Sequence, residues 1–197
     1  MYEINTVQRF DWWRKMKKFK LILAACVGVL LTLGAVNLYW VHIADRFEEI
    51  SEGKVYKSGV MPPDKLKKTI EKYNIKTIVD LRKLEDLKNI EKERSLAETL
   101  GVVHINIPSD QVPETATVQE FLKVMDDEKN YPVLIHCEHG EGRAVLFSAI
   151  YRMEYEKWDN EKARCAARLI TYGSGFSLDA SKGKYLDHYK SREKLIR

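Results

Sequence analysis

The chain is poor in cysteine. It has three in 197 residues and no C-x-x-C pair, which is too few for a disulfide scaffold and the wrong spacing for structural zinc. It also lacks internal repeats and low-complexity tracts. With 45% hydrophobic and 31% charged residues, it is neither a disordered tail nor a polytopic membrane protein. Most of it lacks an excess of either charge. The net charge of +4 invites a nucleic-acid partner, but Arg9, Arg14, Lys15, Lys17, Lys18 and Lys20 against Glu3 and Asp11 account for all of it. Residues 21–197 hold 27 basic and 27 acidic side chains, so a basic groove for nucleic acid is not expected. The length suits one globular domain with a real core.

Charge is missing altogether from Leu21 to Ile43, a run of 23 residues interrupted by a single strongly polar side chain, Asn37. This is enough helix to cross a hydrocarbon core of about 30 Å. Trp12 and Trp13 flank one end, and Tyr39 and Trp40 the other, as amphipathic rings do at membrane interfaces. A cleaved signal peptide has a shorter apolar region and paired small residues at its cleavage site, so the run reads as a retained anchor. The cluster RKMKKFK precedes it and Asp45, Arg46, Glu48 and Glu49 follow it. Lys and Arg stay on the cytoplasmic side, placing the N-terminus inside and the rest outside, which means the periplasm in a bacterium with two membranes. The expected organisation is a basic arm at 1–20, an anchor at 21–43, a linker at 44–53 and a single domain at 54–197.

Within that domain, β-branched or apolar runs at 54–60, 76–81, 102–107 and 132–136 read as strands. Helical patterns separate them: one opened by Pro62-Pro63, then about 85–100, 117–127 and 143–158, with two more near 160–172 and 180–195. Strands alternating with helices imply an α/β fold with a mostly parallel sheet covered on both faces.

Between the strand PVLIH and the helix beginning near Arg143 lies His136-Cys137-Glu138-His139-Gly140-Glu141-Gly142-Arg143. A glycine-containing loop entering a helix N-terminus points backbone N–H groups and positive partial charge at an anion. A cysteine at its start has a stabilised thiolate and is a nucleophile. Arg143 offers a planar fork for two phosphate oxygens. These parts suit phosphoryl transfer through a cysteinyl-phosphate.

At these residues the chain resembles the cysteine-dependent protein tyrosine and dual-specificity phosphatase superfamily, whose signature His-Cys-x-x-Gly-x-x-Arg is matched by His136, Cys137, Gly140 and Arg143. The stretch VYKSGVMPPDKLKKTIEKYNIKTIVDLR is similar to the opening of its smaller members, and the resemblance covers roughly residues 50–172. It implies Cys137 as nucleophile, the amides of Glu138 to Arg143 and the Arg143 side chain as the phosphate cradle, and His136 as support for the loop and the thiolate. It also implies a general acid on a loop upstream of the cysteine. Asp110, 27 residues before Cys137, is the choice, Glu114 the second candidate, and Asp80 matches a structural aspartate. No metal or organic cofactor is implied. Two departures stand out. Ala144 replaces the usual Ser or Thr that assists thiolate departure, and Glu138 and Glu141 make the loop acidic, which opposes polyanionic substrates.

Other readings of the same residues remain open. His136, Cys137 and His139 with Glu138 or Glu141 form a possible ligand set for a metal. A rhodanese-like sulfur carrier also cradles a cysteine, and Ala144 admits a weakly active phosphate-binding module. Cys165 reads as a core residue, or as a reversible disulfide partner for Cys137. Cys26 falls within the anchor. Close tethering to the bilayer favours a phosphorylated membrane protein or a lipid phosphate as substrate.

Overall fold

The computed structural model describes residues 6–39, 45–170 and 174–192. The chain divides into two compact units, Met1–Ala44 and Asp45–Arg197.

The first unit is helix α1 (Thr6–Leu38). The arm and the anchor are therefore one helix among the described residues, rather than two segments meeting at residue 20. Lys, Arg, Met and Leu are all good helix formers, so the step in charge does not interrupt the backbone ladder. Arg14–Leu38, 25 residues, is long and apolar enough to cross a membrane; at 1.5 Å per residue it spans about 37 Å. Its apolar side chains, Leu21, Leu30 and Leu33 among them, are exposed, and no protein core covers them. The end of the expected span, residues 40–43, lies outside the described residues.

In the second unit the strands are β1 (Glu48–Ser51), β2 (Val55–Ser58), β3 (Thr77–Asp80), β4 (Val103–Asn106) and β5 (Val133–His136). The helices are α2 (Pro63–Tyr73), α3 (Leu87–Thr99), α4 (Thr115–Asp126), α5 (Arg143–Tyr155), α6 (Asn160–Ile170) and α7 (Ser181–His188). The sheet order is β1-β2-β5-β3-β4. All neighbours run parallel except the edge strand β1, which pairs antiparallel with β2.

The expected linker is corrected here. Residues 48–51 form a strand and the compact unit begins at Asp45, not at 54. EEIS carries no apolar alternation, so only its pairing with β2 makes it a strand. Two helices, α5 and α7, are shorter than expected. α5 stops at Tyr155, and Trp158 folds back to donate its N–H to the Arg152 carbonyl at 3.2 Å, with the Arg152 guanidinium 4.6 Å above its ring. α7 ends at His188, and α6 is described as far as Ile170; parts of the expected helices, 171–172 and 193–195, lie outside the described residues.

Successive strand residues point to opposite faces, and two cores result. One buries Val55, Val79, Val133 and Ile135 against α4, α5, α6 and α7, with Phe121 and Phe147 in edge contact at 5.0 Å. The other buries Tyr56, Ile78 and Leu134 against Leu66 and Ile70 of α2 and Ala97 of α3. Because β2, β3, β4 and β5 are parallel, the loops leaving their carboxyl ends gather on one edge, where ligands bind in open α/β sheets.

Candidate active site

The last residue of β5 is His136, and the loop 137–142 leads into α5, whose first residue is Arg143. Cys137 is buried, at 2% exposure. Gly140 has φ +69°, and a Cβ there would lie 2.5 Å from the Gly59 nitrogen. The loop therefore rests directly on the end of β2, and only glycine meets both demands.

Three carbonyls of this region are held from outside the loop. The His136 carbonyl accepts from Leu81 N–H at 2.9 Å and the Glu138 carbonyl from Val60 N–H at 3.1 Å. The His139 carbonyl accepts from Arg46 Nη1 at 2.9 Å. Among the described residues, the backbone N–H groups from Glu138 to Arg143 donate to no protein acceptor. Arg143 Nη1 donates to the Leu81 carbonyl at 2.8 Å and reaches the Ser109 carbonyl at 3.4 Å. Arg143 Nε is buried without a partner. Buried donors are normally satisfied, so the buried Arg143 Nε, beside a run of N–H groups free of protein acceptors, suits an anion.

A cavity of about 490 Å³ opens here, lined by Lys83, Ser109, Asp110, Gln111, Glu138 and Arg143 among others. Asp110 thus stands at the same cavity as Arg143. Its side chain is 66% exposed and pairs with Lys83 at 2.5 Å. Glu114 stands just before α4, makes no capping hydrogen bond with its side chain, and is not among the lining residues. Gln111 and Lys182 were not singled out by the sequence. Their side chains meet at 3.2 Å, and both lie within 3.2 Å of where a Gly142 Cβ would be.

His136 faces away from this cavity, toward α3. By register it pairs with Asp80, and its Nε2 lies 2.7 Å from Glu93 Oε1, close enough for an ion pair though off line for a hydrogen bond. Burial alone would strip the charge from His136, but Glu93 and Asp80 outweigh it and hold its pKa above the ordinary 6.5. Burial likewise resists the charge on Glu93, yet His136, His104 and Arg82 hold it well below the usual carboxylate range. Arg82 Nη2 bridges Asp80 and Glu93, at 2.8 Å to each. Asp80, Glu93, His104 and His136 bring potential ligand atoms within 4.8 Å of one another, but Arg82 already supplies this quartet with a cation. The metal set read from the sequence is not assembled, since His139 is exposed and His136 turns the other way.

Cys165 is exposed on α6, between the buried Ala163, Arg164 and Ala167, and both it and Cys137 are free thiols. It is therefore not a core residue. Ala144 is fully buried, and the nearby Ser148 hydroxyl is spent on the Ala144 carbonyl at 2.8 Å.

Lys57, on β2, is completely buried. Its Nζ donates to the Arg46 carbonyl at 2.9 Å and pairs with Glu48 at 3.2 Å. Burial lowers its pKa, while Glu48 and Cys137 act against that. Arg46, Lys57 and Glu93 carry no motif that marks them, and only the packed structure brings them to the site.

A buried cysteine at the head of a loop whose N–H groups have no protein acceptor, closed by an arginine and set at the carboxyl edge of a parallel sheet, defines a cysteine-dependent phosphatase. Comparison with known proteins agrees. The family described as DSP-PTPase phosphatase fused to NAD+ kinase matches residues 34–182, and the chain belongs to that family. The dual specificity protein phosphatase TpbA of Pseudomonas aeruginosa is 25% identical over 157 residues, 73% of this chain and 68% of its own. Inositol diphosphatase DSP3 of Arabidopsis thaliana is 30% identical over 102 residues, 50% of this chain and 49% of its own. The crystal structure of TpbA superposes with a TM-score of 0.63 at 22% identity, covering 79% of this chain and 92% of that one; TpbA has also been solved in complex with pTyr. The catalytic core of the PP-IP phosphatase SIW14 of S. cerevisiae gives 0.61 at 17% identity, covering 76% and 88%.

Proposed function

We propose that the enzyme hydrolyses phosphomonoesters on proteins at a membrane, with Cys137 as nucleophile. The thiolate attacks phosphorus in line. The N–H groups of Glu138, His139, Gly140, Glu141 and Gly142, with Arg143, stabilise the charge on the equatorial oxygens, where preorganised donors are most effective. Asp110 swings from Lys83 to protonate the leaving oxygen, then takes a proton from the water that opens the thiophosphate ester. His136 supports the loop from behind. The observation that carries this reading is the set of loop N–H groups without a protein acceptor together with the buried, unpartnered Arg143 Nε.

A phosphorylated protein is favoured over an inositol diphosphate by charge. Glu85, Asp86, Asp110 and Glu138 line the cavity alongside Arg82, Lys83 and Arg143, and Arg82 is already committed to Asp80 and Glu93. Such a rim disfavours a polyanion. The apolar helix supports a retained single-pass anchor, with the basic end cytoplasmic and residues 45–197 outside.

The test is hydrolysis of an aryl phosphate by the full chain in detergent, in excess chelator, with vanadate as inhibitor. Cys137→Ser is expected to abolish it, and undiminished activity would sink the mechanism. Asp110→Asn should slow poor leaving groups by about 10²-fold or more and good ones far less. Phosphotyrosine peptides, a phosphoinositide vesicle and an inositol diphosphate, compared at equal concentration, decide the substrate class.

A further inference from the structure

Asp45 and Arg46, the first residues of the compact unit, both have positive φ, +47° and +52°. Two consecutive non-glycine residues in the left-handed region persist only where surrounding contacts hold them. Here the contacts come from β2 and its end, from α2 and from the phosphate loop. The Asp45 carbonyl accepts from Gly59 N–H at 2.8 Å, and the Asp45 carboxylate pairs with Lys65. The Arg46 carbonyl accepts from the buried Lys57 at 2.9 Å. The Arg46 guanidinium then divides itself, Nη1 to the His139 carbonyl at 2.9 Å and Nη2 to Glu141 at 2.5 Å.

We propose that Arg46 is a positioning residue of the phosphate loop, orienting the His139–Gly140 peptide and neutralising Glu141. The peptide unit is planar and trans, so its C=O and N–H point in opposite directions. Holding the His139 carbonyl outward aims the Gly140 N–H inward, just as Val60 N–H, by taking the Glu138 carbonyl, aims the N–H of His139. The second arm of the fork cancels a carboxylate two residues before Arg143, which otherwise repels the incoming anion. Arginine suits this because one planar group serves two acceptors. The acidic loop is thus built with its own counter-charge, carried by the turn that follows the apolar helix.

This inference rests on the phosphatase reading, and a double-mutant cycle in the full chain in detergent separates the two. Arg46→Met should raise the vanadate inhibition constant about tenfold, with a matching fall in kcat/KM for an aryl phosphate. Glu141→Gln should recover about threefold of that loss in the Arg46→Met background and change the otherwise intact enzyme less. An unchanged inhibition constant in Arg46→Met, or an equal effect of Glu141→Gln in both backgrounds, would overturn the proposal. If Arg46→Met does not fold, Arg46→Lys is read instead. It keeps the charge but lacks the fork, and must still weaken vanadate; wild-type affinity would overturn the proposal. Activity lost in Cys137→Ser while the cycle fails refutes Arg46 alone, whereas a wild type without activity refutes the phosphatase reading.

Discussion

A buried histidine beside a buried glutamate makes stability depend on pH at both ends. His136 has a raised folded pKa, so its contribution is fully present below about 6.5 and is lost as pH rises through the folded value. Glu93 has a depressed one, so its contribution is complete above about 4.5 and is lost as pH falls toward the folded value. Between those limits both charges are present and the pair is strongest. Glu93→Gln should cost about 3 kcal/mol there, the typical penalty for leaving one buried charge alone. The deficit should narrow as pH rises through the raised folded value and His136 loses its proton. Urea denaturation of both proteins from pH 5 to 9 reads this directly, and a deficit that ignores pH would assign Glu93 to packing instead. His136 and Cys137 were legible in the sequence because their spacing is a signature. Glu93 was not, because it sits on a charged helix where any of several glutamates looks equivalent until α3 is laid on the sheet.

At the scale of elements, the site is a contact between the loop after β5 and the end of β2. Gly140, in the loop that follows β5, approaches Gly59 just past β2 so closely that a methyl group has no room, and its φ is positive as well. Gly140→Ala should displace the loop and lower kcat/KM by about 10²-fold, while Gly101→Ala, also at positive φ but with open space around its Cβ position, should leave turnover intact. Parallel kinetics and thermal melts of the two variants check this; equal losses would mean that backbone strain, not the β2–β5 contact, governs the loop. The central strands were readable because TIVD and VLIH are buried throughout, and apolar β-branched runs announce such strands. The edge strand β1 was not, since an edge strand with a polar face has no pattern to read. Its identity comes from a partner in the chain, and its residues were expected to be linker.

For the whole molecule, the division at Ala44 separates a helix with no protein core around it from a unit with two. Residues 45–197 alone should fold and retain aryl phosphate hydrolysis, whereas the full chain should resist alkaline extraction from membranes and the truncated one should not. Release of the full chain by alkali would refute the anchor. The sequence alone determined the α/β class, the apolar span, and the loop carrying Cys137 and Arg143, because hydrophobic period, unbroken apolarity and motif spacing are local properties written within a few residues of one another. Only the tertiary structure decided that Glu93 charges His136, that Arg82 pairs with both Asp80 and Glu93, and that Arg46 clasps the loop. Those relations join residues far apart in the chain. They arise from burial, where a charge must find its partner wherever packing has put one.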